Sequence, residues 1–217
     1  MRLNRFSPLL LTVTLCFVMT AMPRALAHPH AWIDLESTAI LNDDGHLIAL
    51  QQYWLFGDFY SSYVLADIGS DDRDAIIDSL REVARQNLVS LRDYDYFTVI
   101  KSDGQRKDIV DVEIFETGVV EGRIYLKFTT ALAEPLDPAT AVVRYAVYDP
   151  TYYIEILYAE GVAPRFQAPG AVVCELGVNK PSPTFDELAF AASLDRTENG
   201  GDGLGEVFAE WVEMTCH

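Results

Sequence analysis

The sequence predicts an α+β fold, an antiparallel β-sheet system with a few helices, forming a single domain behind a cleavable export signal. Short runs rich in Val, Ile, Tyr and Phe recur between turn residues, as strands do. One stretch, Arg73 to Leu91, carries apolar residues at a 3.6-residue period. No internal repeat or long linker splits the chain, and 50% hydrophobic residues over 217 positions suffice for one core.

The elements follow in order. Residues 1–27 read as a signal peptide: Arg2 and Arg5 without an acid, an apolar run from Phe6 to Met22, then Ala25-Leu26-Ala27 with small residues at the cleavage positions. The expected mature domain is 28–217. Its first part alternates from Ala31 to Leu41, turns at Asn42-Asp43-Asp44-Gly45 and resumes from His46 to Phe56, which predicts a hairpin. Residues 58–68 read as a helix with Phe59, Tyr63 and Ala66 on one face. Ser70-Asp71-Asp72 supplies an N-cap for the helix 73–91. Strands are expected at 96–101, 109–117, 122–130, 141–148 and 152–159, pairing antiparallel. Pro164, Pro169, Pro181 and Pro183 break residues 161–184. A helix is expected over 184–194, a Gly-rich loop over 197–205 and a last helix near 206–214.

Charge narrows the function. Lys plus Arg number 16 and Asp plus Glu 33, a net charge of −17 that falls to −20 once the signal and its three Arg are removed. Such a chain repels phosphate backbones and anionic headgroups, so no nucleic acid is expected as a partner. No other stretch is long and apolar enough to span a bilayer, so no stable membrane anchor is expected and the mature protein is assigned to the periplasm. Cys174 and Cys216 survive cleavage, an even pair in an oxidising compartment, and a disulfide is the expected state. A thiolate metal site is the alternative, although the pair lacks zinc-ribbon spacing.

The strongest chemical feature is His28-Pro29-His30 at the expected mature start; only four His occur in the chain. Cleavage frees the α-amine of His28, which with its own imidazole can chelate one metal, and His30 adds a third nitrogen. Imidazole suits zinc, copper, nickel and iron. Pro29 has no N–H, which blocks the amino-terminal mode that uses deprotonated backbone nitrogens. A period of two puts His28, His30, Trp32, Asp34 and Glu36 on one strand face, which makes Asp34 a further ligand or an outer hydrogen-bond partner.

Weaker features read structurally. Tyr148-Asp149-Pro150-Thr151-Tyr152-Tyr153 is a Pro turn in which Asp149 bonds the turn backbone. The aromatic-rich segment 53–61 reads as core. Asp195, Thr197, Asn199, Gly200 and Glu206 match calcium-loop positions, but Asp202 and Gly203 do not, so residues 195–206 read as a loop. No catalytic set emerges, and the chain is read as a non-enzyme.

The sequence resembles the bacterial family termed domain of unknown function 1007. The matching pieces are His28-Pro29-His30-Ala31-Trp32-Ile33-Asp34, Trp54-Leu55-Phe56 with Phe59-Tyr60-Ser61, Tyr96-Phe97, Glu134-Pro135-Leu136-Asp137, and Tyr148-Asp149-Pro150-Thr151-Tyr152-Tyr153. The Cys174 and Cys216 pair fits too. One position departs: the family's Asp after the aromatic tripeptide is Gly57 here, with Asp58 next. The resemblance implies handling of a divalent transition metal beside a membrane transporter.

The expectation is therefore a periplasmic protein that binds zinc, nickel or cobalt through His28, His30 and Asp34 and captures it for, or delivers it to, an inner-membrane metal transporter. Two rivals stand beside it. One is a transporter-associated interaction module without a metal role. The other is a copper-dependent oxidative enzyme using the N-terminal His. The sequence does not set the oligomeric state.

Overall fold

The computed structural model describes Pro29, residues 31–195, Glu198 and residues 200–217. Strands β1 (Ala31–Leu41) and β2 (Leu47–Phe56) form the expected hairpin. Asn42 Oδ1 accepts from the amides of Asp44 and His46, and Gly45 takes φ 81°, the left-handed value the turn needs. Helix α1 (Asp58–Ile68) and helix α2 (Arg73–Leu91) follow. Asp72 caps α2 by accepting from the amides of Asp74 and Ala75.

A 3₁₀ segment over Arg92–Phe97 leads to β3 (Thr98–Ser102) and β4 (Gln105–Arg106). Then come β5 (Phe115–Val120), β6 (Arg123–Leu136), β7 (Val143–Val147) and β8 (Ile154–Tyr158). The tail holds β9 (Arg165–Gln167), β10 (Cys174–Asn179), α3 (Phe185–Ser193), α4 (Leu204–Phe208) and β11 (Trp211–Cys216).

The strands make two facing sheets. The first runs β5-β6-β2-β1-β8, with β9 also on β1; the second runs β10-β11-β7-β3-β4. Alternation decides which side chains meet between them. Ile33, Leu35, Ala39 and Leu41 of β1, Leu50, Trp54 and Phe56 of β2, and Ile124, Leu126 and Phe128 of β6 point inward. They join Ile100, Val143, Tyr145, Val147, Val212 and Met214 of the second sheet in one core. Leu80, Ala84 and Leu88 of α2 complete that core. The fold is thus α+β in a single domain, as expected.

Several local expectations need correction. The sheets are not wholly antiparallel, because β8 and β9 run parallel to β1. The strand expected at 109–117 reduces to one bridge, Ile109 to Leu132, with β5 starting only at Phe115. Residues 96 and 97 are not strand: Asp95, Tyr96 and Phe97 take φ values of 49°, 53° and 58°. The broken stretch 161–184 contains β9 and β10. The last helix ends at Phe208, and Trp211–Cys216 is a strand. There Val212, Met214 and Cys216 are buried at a period of two, and the Cys174–Cys216 disulfide joins directly paired residues of β10 and β11. Sheet pairing overrides the helical propensity of the part of Glu206-to-Met214 that begins at Trp211.

Candidate metal centre

His28 and His30 lie outside the described residues; Pro29 is described, and β1 begins at Ala31 with no linker after the motif. The odd residues of β1 turn inward, while Trp32, Asp34 and Glu36 share the outer face of the first sheet, as the period of two predicts. Asp34 accepts an ion pair from Arg123 Nη2 at 2.8 Å. Arg123 also donates from Nε to the Phe56 carbonyl at 2.7 Å and from Nη2 to the Leu55 carbonyl at 3.1 Å. Asp58, the first residue of α1, stands 3.9 Å from Arg123 Nε. One guanidinium therefore ties β6 to the end of β2, the start of α1 and the outer face of β1. A planar fork of donors suits this task where an ammonium would not.

Asp34 is 46% exposed, so one carboxylate oxygen is committed to Arg123 while the group stays open to solvent. Among the described residues, no three His, Cys, Asp or Glu side chains converge as a metal-binding group. Neither Arg123 nor Asp58 was nominated by sequence reasoning as a site residue. Their meeting depends on the β2–β6 register, which single-strand periodicity does not reveal.

A family model described as Protein of unknown function (DUF1007) matches residues 13–216. The chain belongs to this family. A relative in Haemophilus influenzae, described as an uncharacterized protein, is 29% identical over 194 residues, covering 88% of this chain and 92% of its own length. No solved structure matches.

The fold brings three of the DUF1007-like segments to one end of the first sheet. Ile33 pairs with Phe56 of the Trp54-Leu55-Phe56 segment. The Gly57 amide donates to the Trp32 carbonyl at 2.8 Å, and a Cβ at Gly57 would lie 3.4 Å from that oxygen. Parallel pairing sets Ala31 beside Ile154, directly after the Tyr152-Tyr153 end of the proline turn. Glu155 is thereby opposite Trp32 on the outer face and accepts from the Tyr152 hydroxyl at 3.0 Å. Burial, then the Glu155 charge, raises the Tyr152 phenol, so it remains a donor. Glu155 is a third residue that sequence reasoning missed, because a parallel pairing between the first and eighth strands has no local signature.

The turn itself behaves as its chemistry predicted. Asp149 is buried and accepts from the Thr151 amide and hydroxyl and from the Ile154 amide. All its described bonds are to the turn. The Gly-rich loop folds onto this turn, with the Gly203 and Gly205 amides donating to the Pro150 carbonyl at 3.2 and 3.0 Å. Glu206 pairs with Lys101 at 3.0 Å, and Thr197 and Asn199 of the calcium-loop match lie outside the described residues.

The aromatic-rich segment divides. Trp54 and Phe56 are core; Tyr53 stacks on Tyr125 on the outer face at 5.3 Å; Phe59 is 78% exposed. Among the described residues no helix is long and apolar enough to cross a membrane.

Proposed function

We propose that this chain is an exported protein that binds a divalent transition metal, zinc, nickel or cobalt, at its mature N-terminus and captures it for, or passes it to, an inner-membrane transporter. The observation that carries this reading is the junction of His28-Pro29-His30 with β1 at Ala31, where two other family segments, Trp54–Phe56 and Tyr148–Tyr153, also meet.

In this reading the His28 amine and imidazole and the His30 imidazole hold the metal. Strand rise puts Asp34 roughly 10 Å along β1 from Ala31, and Arg123 already occupies it, so Asp34 acts through its charge and not as a direct ligand. Glu155, opposite Trp32, is the carboxylate this reading assigns to accept an imidazole N–H. The ion is cargo, and no catalytic step is assigned to the protein.

Competition for zinc against a chromophoric indicator tests the reading. Cleaved wild-type protein is expected to strip one equivalent. The His28→Ala/His30→Ala variant should bind at least about a hundredfold more weakly, and Glu155→Gln about tenfold more weakly. Indifference of the affinity to the histidine substitutions, or no competition by the wild type, contradicts the proposal.

A further inference from the structure

The inner side of α1 is tightly engaged. Tyr60 stacks on Phe56 at 4.9 Å. The buried Ser61 hydroxyl donates to the Phe56 carbonyl and accepts from the Ile124 amide at 3.0 Å. The outer side is apolar as well, which an ordinary surface helix is not. Phe59 is 78% exposed and Tyr63 67%, and Ala66 continues the same stripe at helical spacing. The stripe starts at the Gly57–Trp32 hydrogen bond, beside the half-exposed Trp32.

The surroundings are mainly acidic. Asp58, Asp67, Asp71, Asp72, Asp74 and Asp78 are all exposed along α1 and the start of α2, against Arg73, Arg81 at Asp78 and Arg123 at 3.9 Å from Asp58. Asp78 is paired with Arg81, and Asp72 caps α2, whereas no described side chain pairs with Asp67, Asp71 or Asp74. A second copy of this chain would press like charges together, and an anionic bilayer would be repelled.

We propose that the outer face of α1 docks a basic amphipathic polypeptide segment, one that sets large apolar side chains at helical spacing among Lys or Arg. Its apolar face covers Phe59 and Tyr63, and its cations meet the free aspartates. A segment seated there lies at the end of the first sheet where the histidine motif joins β1, but its binding does not depend on a metal.

A labelled 18-residue Leu/Lys amphipathic peptide, titrated in EDTA at physiological salt and followed by anisotropy, is the test. Phe59→Ser/Tyr63→Ser should weaken binding at least tenfold, and Asp67→Lys/Asp71→Lys should also weaken it. Phe185→Ser/Leu188→Ser, on the equally exposed apolar face of α3, should leave it unchanged. A Gly/Lys peptide of equal charge should bind at least tenfold more weakly. All substituted side chains are exposed, and unchanged thermal midpoints check that the variants fold.

The proposal is overturned by α1 variants that bind like wild type, or by equal binding of the Gly/Lys peptide. It is also overturned by self-association, or by sedimentation with phosphatidylglycerol vesicles, that requires Phe59 and Tyr63. Because EDTA removes the metal, this docking and the metal site can fail separately.

Discussion

Single atoms decide how the candidate site is held. Arg123, 23% exposed, satisfies two backbone carbonyls and the Asp34 carboxylate. Removing the fork leaves those acceptors to a partly dry environment. Arg123→Met is therefore expected to cost about 2 kcal/mol, read from the urea midpoint. The proline turn is equally specific. A Cβ at Gly205 would overlap the Asp149 carbonyl oxygen, and backbone cannot step aside as a flexible side chain would. Gly205→Ala is expected to cost on the order of 2 kcal/mol or more by overpacking, whereas Gly161→Ala, which meets no atom, costs only its positive-φ strain. Equal effects of the two substitutions on the urea midpoint would refute this. Gly118 faces the Tyr125 ring, where a Cβ would come within 2.9 Å, and so keeps the Tyr53–Tyr125 stack on the outer face.

The C-terminal elements show the reach and limit of sequence reasoning. Breaking the Cys174–Cys216 bridge frees a 42-residue loop, and the chain-entropy model sets the loss near 4 kcal/mol. Reduced protein, or the Cys174→Ala/Cys216→Ala variant, should unfold at clearly lower urea, with β10 and β11 the first amides to lose exchange protection. The β1–β2 hairpin, α2 with its Asp72 cap and the existence of α3 were legible because their signals are local: alternation, a 3.6-residue period and a side chain that reaches its own helix end. β11 was not, because Glu206-to-Met214 suits a helix locally and its part from Trp211 becomes a strand only between β7 and β10. The parallel β1–β8 pairing was hidden for the same reason, and with it the place of Glu155. Periodicity correctly put Trp32, Asp34 and Glu36 on one face, yet it also grouped Phe59 and Tyr63 without showing that their face looks outward.

Across the whole molecule, polar contacts between the sheets set the response to pH. Ser37 of β1 bonds the hydroxyls of Tyr145 at 3.0 Å and Tyr158 at 2.7 Å. Burial pushes the Tyr145 phenol up to about 12 and raises Tyr158 as well. A raised phenol favours the folded state by its neutral form, so the contribution is whole below pH 10. It is lost as pH rises from 10 towards 12, when the unfolded chain ionises first. Stability should thus fall steeply above pH 10, and ultraviolet titration should show these tyrosines ionising together with unfolding. Tyr145→Phe/Tyr158→Phe should flatten that alkaline limb. Three family segments converge at the start of β1, where the mature chain is expected to begin, and the proposed function rests there. Native mass spectrometry of untagged protein, recovered from the periplasm without chelator, tests it most directly. The account predicts a chain starting at His28 that carries one divalent ion, lost in the His28→Ala/His30→Ala variant. A chain starting at His28 that takes up neither zinc, nickel nor cobalt when each is added, or one that keeps residues 1–27, contradicts it.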